Sequence, residues 1–268
     1  MEKTIGFIGA GNMGGAMIGG MVSSGLVTPD QIIASELNGQ RRKELEAEFG
    51  IRTTSDMLDV VALADYIILA VKPYIYDQVM ETIGRKLRED QVVISIAAGM
   101  PLGRMEAVLG EDTKIVKTMP NTPALVGQGM TAVCTNGKVS EVELEEVMTL
   151  FRSFGKAEQV PEHLFDAVIG ASGSSPAYMF MFLEAIADAV VKAGMPRQQA
   201  YTFAAQAMKG AAEMVLETGQ HPGALKDMVC SPGGTTIEAV TVLDQEGLRG
   251  AVTKAVDACV KKSIEMNQ

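Results

Sequence analysis

The sequence predicts an α/β fold, with an N-terminal parallel-sheet domain followed by a C-terminal all-helical domain. Three observations carry this. Short apolar runs alternate with amphipathic helical stretches through roughly the first 160 residues, the pattern of parallel strands covered on both faces. The first run ends in Gly9, Gly11 and Gly14, a G-x-G-x-x-G turn that opens a helix, as in a Rossmann-type domain. After about Pro161 the strand pattern stops and helical segments follow. The expected domains are a dinucleotide-binding domain over 1–160 and a helical dimerisation and substrate-binding domain over 161–268.

Taken in order, residues 5–8 read as a strand and 12–24 as a helix. Residues 31–36 (QIIASE) form a second strand, and 41–49 a helix with charges on its outer face. Residues 65–71 (DYIILAV) are a short apolar strand, 76–87 a helix and 91–97 (QVVISIA) another apolar strand. Further strands are expected at 114–118 and 130–134. The helical half divides into 176–193, 196–218, 223–228, 235–243 and 247–266. Gly194 ends its first helix, Pro196 opens the second near its first position, and Gly219 stops it.

A chain of 268 residues is long enough for a well-buried core, and 47% hydrophobic with 21% charged residues is ordinary globular composition. The net charge of -10 argues against a general affinity for nucleic acid, which needs clustered Lys and Arg. Met1 leads straight into a strand-like run without a signal-peptide pattern. No segment approaches 18 apolar residues free of charge; the most apolar stretch, 177–193, contains Glu184, Asp188 and Lys192. Cys134, Cys230 and Cys259 are odd in number and widely spaced, so reduced thiols are expected. Two histidines leave no visible metal-ligand set. A cytoplasmic protein with neither nucleic-acid nor membrane partner is expected. The Ala-, Met- and Gly-rich helices would expose large apolar faces if alone. Either a second copy covers them or they wrap their own sheet domain, and the first is the expectation here.

The glycine-rich turn follows a strand and opens a helix, the context that gives the motif its meaning. Gly9 permits the tight turn, Gly11 lets the backbone approach a pyrophosphate and Gly14 allows close helix packing. Asn12 and Met13 open the helix, whose N-terminus supplies partial positive charge. At the end of the second strand the signals conflict. Glu36 suits a ribose 2′-hydroxyl, whereas Ser35, Asn38, Arg41 and Arg42 can hold a 2′-phosphate. The choice stays open between NADP, slightly favoured, and NAD. Ligands sit at the carboxyl ends of parallel strands, so Ala70, Val71, Lys72 and Pro73, and Ala97 and Ala98, are expected to face the cofactor. Pro120, in the two-proline loop KTMPNTP, can press on the nicotinamide ring or serve as a rigid connector.

A second anion-binding turn is suggested by VCSPGGTTIEAV, residues 229–240, where two glycines sit between hydroxyl residues before a helix. The run HPGALKDMVCSPGGTTIEAVTVLD strongly resembles the signature of the pyrroline-5-carboxylate reductase family. FIGAGNMGGAM, LAVKP, VVISIAAGM, MPNTPALVGQGMT, SGSSPAYMF and GMPRQQAY also resemble that family's segments, in its order, over essentially the whole chain. The resemblance implies reduction of 1-pyrroline-5-carboxylate to L-proline by NAD(P)H, the last step of proline biosynthesis. It also implies an active site at a dimer interface, in a family many of whose members assemble as pentamers of dimers. Carried onto matching positions, Ser231, Gly233, Gly234, Thr235 and Thr236 form the substrate loop. Thr236 contacts the ring nitrogen and amides near Gly234 hold the carboxylate. Glu162 matches an acidic residue near the family's substrate site.

The chemistry of such a substrate agrees. A cyclic imino acid offers one carboxylate, suited to a helix N-terminus, and one electrophilic carbon to be positioned for hydride. A hydroxyl can hydrogen-bond the nitrogen while solvent supplies the proton, so no strong general acid is demanded. Taken alone, SPGGTT is also an ordinary helix start. SGSSPAY reads as a helix entry at Pro176 rather than a serine nucleophile, and His221 as a turn residue before Pro222. The β-hydroxyacid dehydrogenases share this layout but carry a catalytic lysine after a glycine-rich helix start, and residues 170–182 contain none.

Overall fold

The computed structural model describes residues 2–267. The chain forms two compact units, one holding the residues up to Ser174 together with those from Cys259 onward, the other Ser175–Ala258.

The first unit is built on one eight-stranded sheet: β1 (Ile5–Ile8), β2 (Ile32–Ser35), β3 (Arg52–Thr54), β4 (Tyr66–Leu69), β5 (Val92–Ser95), β6 (Lys114–Met119), β7 (Gly129–Thr135) and β8 (Gly155–Gln159). Its order is β3-β2-β1-β4-β5-β6-β7-β8. The central strands β1, β2, β4 and β5 are buried along their whole length, as strands covered on both faces must be. Alternation splits their side chains between two layers. Ile5 and Phe7 face α1 (Asn12–Ser23), α2 (Gly39–Phe49) and α6 (Glu141–Arg152), packing with Met17, Met21, Leu45 and Phe151. Ile8, Ile67 and Leu69 face α3 (Met57–Leu63), α4 (Tyr76–Gly84) and α5 (Leu102–Leu109), packing with Val60, Met80 and Met105.

The expected apolar strands and the helices between them are present, with ends shifted by a few residues. Two edge strands lay outside the expectation. β3 reads RTT and β8 reads GKAEQ, and of the latter only Ala157 is buried, so neither shows an apolar run. The sheet is also not wholly parallel: β6 and β7 run antiparallel, Lys117 opposite Cys134. Helix α6 had a readable start, since Ser140 and Glu143 form a reciprocal capping box.

By packing, residues 161–174 group with the sheet unit, as do those from Cys259 onward. Phe165, in the short helix α7 (Phe165–Val168), is buried in the second core layer. Asp166 accepts from Ser263 Oγ at 2.5 Å and from Asn267 Nδ2 at 2.9 Å, which ties in the chain's last turns. The helix entry expected at SGSSPAY is present, starting at Ser175 with Pro176 in its first turn. Residues Ile169–Gly173 form a π-helical turn directly after α7, a feature often found at functional sites.

The second unit consists of α8 (Ser175–Lys192), α9 (Arg197–Thr218), α10 (Pro222–Val229), α11 (Thr235–Gln245) and the start of α12 (Leu248–Met266). Pro196 is the N-cap of α9 rather than its first residue. Arg197 pairs with Asp188 at 2.5 Å. The buried hydrophobics in this unit are small or few: Ala187, Ala200, Ala204 and Leu225. Phe180 and Phe203 are 65% and 66% exposed, and Met181 70%. The apolar faces are therefore left open in the single chain, as expected for helices covered by another copy. One run, Glu162–Lys192, has the length and apolarity to cross a bilayer, with mean hydropathy 1.2.

Helix α3 sits so close on β1 that a Cβ at Gly6 would lie 2.4 Å from Val60 Cγ1 and 2.6 Å from Ala64 Cβ. Gly6→Ala is expected to destabilise the protein by about 1–3 kcal/mol through overpacking. Thermal unfolding should show a midpoint several degrees lower; an unchanged midpoint would contradict this close seat.

Candidate functional site

A cleft of about 750 Å³ opens along the carboxyl ends of the parallel strands in the first unit. It lies where the strand order reverses about β1 and β4, the position such folds use for ligands. Gly9, Gly11, Asn12, Met13, Ser35, Glu36, Ala70, Val71, Lys72, Pro73, Ala97, Ala98 and Pro120 all line it. Of the residues expected to face a cofactor, Gly14 does not, and neither do Asn38, Arg41 and Arg42, offered for a 2′-phosphate.

The three glycines do three different things. Gly9 has φ +90°, and a Cβ there would meet Ala70 O and Val71 Cγ1 at 2.8 Å. Gly14 lies away from the cleft because it packs on the turn itself: its Cβ would meet Gly9 O at 2.8 Å. A Cβ on Gly11 would have nothing within 4 Å. Gly11 is also the N-cap of α1 and offers no side-chain cap. The first-turn N–H groups of a twelve-residue helix thus face open space, which suits a pyrophosphate. The residues present fit a dinucleotide.

Beyond β2, the polar residues are engaged with the backbone. Ser35 Oγ approaches Phe7 O at 3.5 Å. Asn38 caps α2, its Oδ1 accepting from Gln40 N and Arg41 N. Arg41 Nε donates to Ala10 O at 3.2 Å, and Arg42 Nη1 to Glu36 O at 2.6 Å and Leu37 O at 3.2 Å. Glu36 straddles the turn, accepting from Ala10 N at 3.2 Å and Asn38 N at 3.0 Å.

A buried polar network supports the cleft floor. Tyr76 donates to Leu69 O at 2.6 Å and lies 3.1 Å from Ser95 Oγ, while Thr118 donates to Ser95 O at 2.9 Å. Burial raises the Tyr76 phenol above its ordinary value, so it serves as a neutral donor. At the other end, Met119, Pro120, Asn121, Thr122, Leu125 and Gly173 contribute to the lining. Asn121 accepts from Met130 N at 2.8 Å and donates to Ser172 O at 3.0 Å, fixing the two-proline loop to β7 and to the π-helical turn. Asn121 and Gly173 were absent from the sequence reading because no local motif announces a tether 51 residues long. Ser55 and Met57 were missed with the strand they follow.

Glu162, expected near the substrate, holds two groups of its own unit. It is not among the cleft-lining residues. Its Oε1 accepts from Leu102 N at 2.7 Å, capping α5, and from the buried Lys117 Nζ at 3.0 Å. Lys117 Nζ also lies 4.8 Å from the Phe165 ring centre. Nearby, burial pushes the Cys134 thiol up to about 12, with the Glu162 charge adding to the effect.

The loop before α11 belongs to the second unit. Gly234 N donates to Ser231 O at 3.0 Å, and Gly233 has φ +66°. With Pro232 second, this is a tight turn needing positive φ at its third residue. A Cβ on Gly234 would lie 2.3 Å from Ser231 Oγ. Gly234 is the N-cap of α11 without a side-chain cap, so neither Ser231 nor Thr235 takes the capping role an ordinary helix start would give it. Thr235 and Thr236 open the helix. His221 does act as a cap, its Nδ1 accepting from Gly223 N at 3.0 Å.

The two glycine environments predict opposite phenotypes. Gly11→Val should leave the melting temperature nearly unchanged while weakening dinucleotide binding more than tenfold (on the order of 1.4 kcal/mol or more). Gly14→Ala should lower thermal stability. Melting curves and calorimetric titration distinguish them, and a stable Gly14→Ala protein would contradict the packing.

The family described as pyrroline-5-carboxylate reductase dimerisation matches residues 162–266. The family described as NADP oxidoreductase, coenzyme F420-dependent, matches residues 4–99. The chain is 52% identical to the pyrroline-5-carboxylate reductase of Escherichia coli over 268 residues, all of both chains. Among solved structures it is similar to a pyrroline-5-carboxylate reductase from Coxiella burnetii, at 32% identity and TM-score 0.92 with 100% of each chain covered. It is likewise similar to a Plasmodium falciparum pyrroline carboxylate reductase with NADP bound, at 31% identity and TM-score 0.91, covering 100% of this chain and 99% of that one. The full-length identity joins the dinucleotide cleft and the SPGGTT loop in one lineage: the chain belongs to the pyrroline-5-carboxylate reductase family.

Proposed function

We infer that the protein reduces 1-pyrroline-5-carboxylate to L-proline, with NADPH as donor and NADH as the alternative. The observation that carries this is the pairing, in a full-length relative of known reductases, of two helix starts that no side chain caps. The bound dinucleotide supplies the hydride. The turn from Gly9 to Gly14 and the start of α1 hold its pyrophosphate, and the ends of β2, β4 and β5 line its two ribosides. The loop Ser231–Thr236 takes the substrate carboxylate on backbone N–H groups at the start of α11. The Thr236 hydroxyl holds the ring nitrogen, whose proton comes from solvent. Fixing the electrophilic carbon is then the main work left to the protein. Glu162, tied to Leu102 N and Lys117, acts on this reading as a support rather than a substrate contact.

The protein is a homo-oligomer, consistent with the open apolar faces of α8 and α9 and with the dimerisation family matched there. We propose a dimer as the smallest active form, with residues 161–268 as the segment that assembles and binds substrate. Three free cysteines suit a reducing cytoplasm.

Purified protein given 1-pyrroline-5-carboxylate should consume NADPH or NADH and form proline; consumption of neither would overturn the assignment. Thr236→Ala should lower turnover about 10–100-fold, the size of one lost hydrogen bond to a charged group, while cofactor affinity stays within twofold of (about equal to) wild type. An unaffected rate removes Thr236 from the site. Sedimentation should show at least a dimer, and a fully active monomer would contradict the assembly.

A further inference from the structure

Outside the lining, on the β5–β6 side of the cleft, one carboxylate joins three segments that each supply lining residues. Glu162 Oε1 accepts from Leu102 N at 2.7 Å and from Lys117 Nζ at 3.0 Å. Leu102 opens α5, whose N-cap Pro101 makes no side-chain cap. Glu162 therefore satisfies a donor that the helix start leaves open, and its charge suits that end of the helix. The loop leading into Leu102 carries Ile96, Ala97 and Ala98 on the cleft wall. Ser95 Oγ holds the β5 end of that loop, accepting from Ala97 N at 3.3 Å, and Glu162 holds the α5 end. Lys117 lies on β6 just before Met119 and Pro120, which also line the cleft. Glu162 itself starts the segment that runs through α7 and the π-helical turn to Gly173, a third lining position. The Lys117 side chain is 7% exposed, and among the described residues Glu162 is the one carboxylate within ion-pair reach of it. A buried ammonium that loses its partner is costly, so the pair holds its geometry.

We propose that Glu162 is a positioning residue for hydride transfer: it ties the β5–α5 loop, the exit of β6 and the segment leading to Gly173 to one point, and so sets the spacing of the walls around the nicotinamide. The proposal rests on the reductase reading of the cleft. Neither Glu162 nor Lys117 is among the lining residues, so both act through the segments they hold. Hydride transfer needs the reacting carbons close and aligned, and a misplacement of about 1 Å costs up to about 100-fold in rate. A supporting shell that fixes the walls is what keeps such a placement. On the same reading the pyrophosphate and adenosine are held elsewhere, by the turn from Gly9 to Gly14 and the end of β2. Loss of Glu162 therefore slows the hydride step and leaves dinucleotide affinity nearly as it was.

The test is single-turnover oxidation of NADPH in the preformed enzyme–NADPH complex, mixed with saturating 1-pyrroline-5-carboxylate, for wild type, Glu162→Ala and Glu162→Gln. The first-order rate constant does not depend on how much of the protein is folded, whereas the amplitude does, so a merely structural role moves only the amplitude. Glu162→Ala should lower the rate constant about 10–100-fold, while calorimetric affinity for NADPH stays within about threefold of wild type. Glu162→Gln keeps an oxygen for Leu102 N and Lys117 Nζ and should recover the rate constant to within about threefold of wild type. An unchanged rate constant in Glu162→Ala overturns the proposal, as does a loss carried by NADPH affinity instead, or a Glu162→Gln protein as slow as Glu162→Ala. Should Glu162→Ala not fold, Lys117→Met decides, because it keeps the α5 cap and cuts only the tie to β6: a lowered rate constant supports the proposal and an unmoved one overturns it. A wild-type protein that binds NADPH but oxidises neither NADPH nor NADH with this substrate would instead overturn the functional reading together with the proposal.

Discussion

The crossing of α1 over the ends of β1 and β4 is the contact on which the rest of the cofactor cleft depends. Gly9 and Gly14 bring three backbone segments to distances at which a Cβ on either glycine would lie 2.8 Å from a carbonyl oxygen. Because the segments meet so closely, the start of α1 points its N–H groups over the strand ends. The sheet's fully buried central strands supply the rigidity that keeps this geometry. Tyr76, Ser95 and Thr118 stiffen the floor by satisfying the backbone of β4 and β5 from within. Glu36, Arg41 and Arg42 stiffen the riboside end in the same way.

The second unit obeys a different constraint. Its helices bury mostly alanines and leave phenylalanines and methionines open, so a single copy has little core of its own there. Burial of apolar area is the main favourable term in folding and association, and a second copy, as the matched dimerisation family suggests, would cover these faces. In the proposed dimer, assembly and stability would be linked, as in obligate homodimers. The SPGGTT loop sits in this unit, which places the proposed substrate contacts on the part of the chain that association stabilises.

Much of the fold was legible because its signals are local. The apolar runs of β1, β2, β4 and β5, the glycine turn, and the glycine stops after α8 and α9 each speak within a few residues. What escaped were elements whose stability is not written in their own composition. β3 and β8 form at sheet edges through partner strands, since neither RTT nor GKAEQ carries an apolar run. The antiparallel pairing of β6 with β7 depends on the turn between them and leaves no periodic trace. The site divides likewise. The glycines and the strand-end residues were readable from position, whereas Asn121 reaches Ser172 and Glu162 reaches Leu102 across long stretches of chain.

By itself the sequence determined a dinucleotide-type α/β unit followed by helices, the two glycine-bearing anion turns and the family kinship, because these follow from spacing and side-chain type along the chain. Tertiary structure alone decided which polar residues remain available. Ser35, Asn38, Arg41 and Arg42 looked equally free to hold a phosphate until their backbone partners were seen. Glu162 reads from the sequence as near the substrate, and only the structure adds that its carboxylate accepts from Lys117 and the start of α5. The physical reason is that a polar side chain's role is set by the partners within hydrogen-bond reach, and those partners come from segments the local sequence does not name.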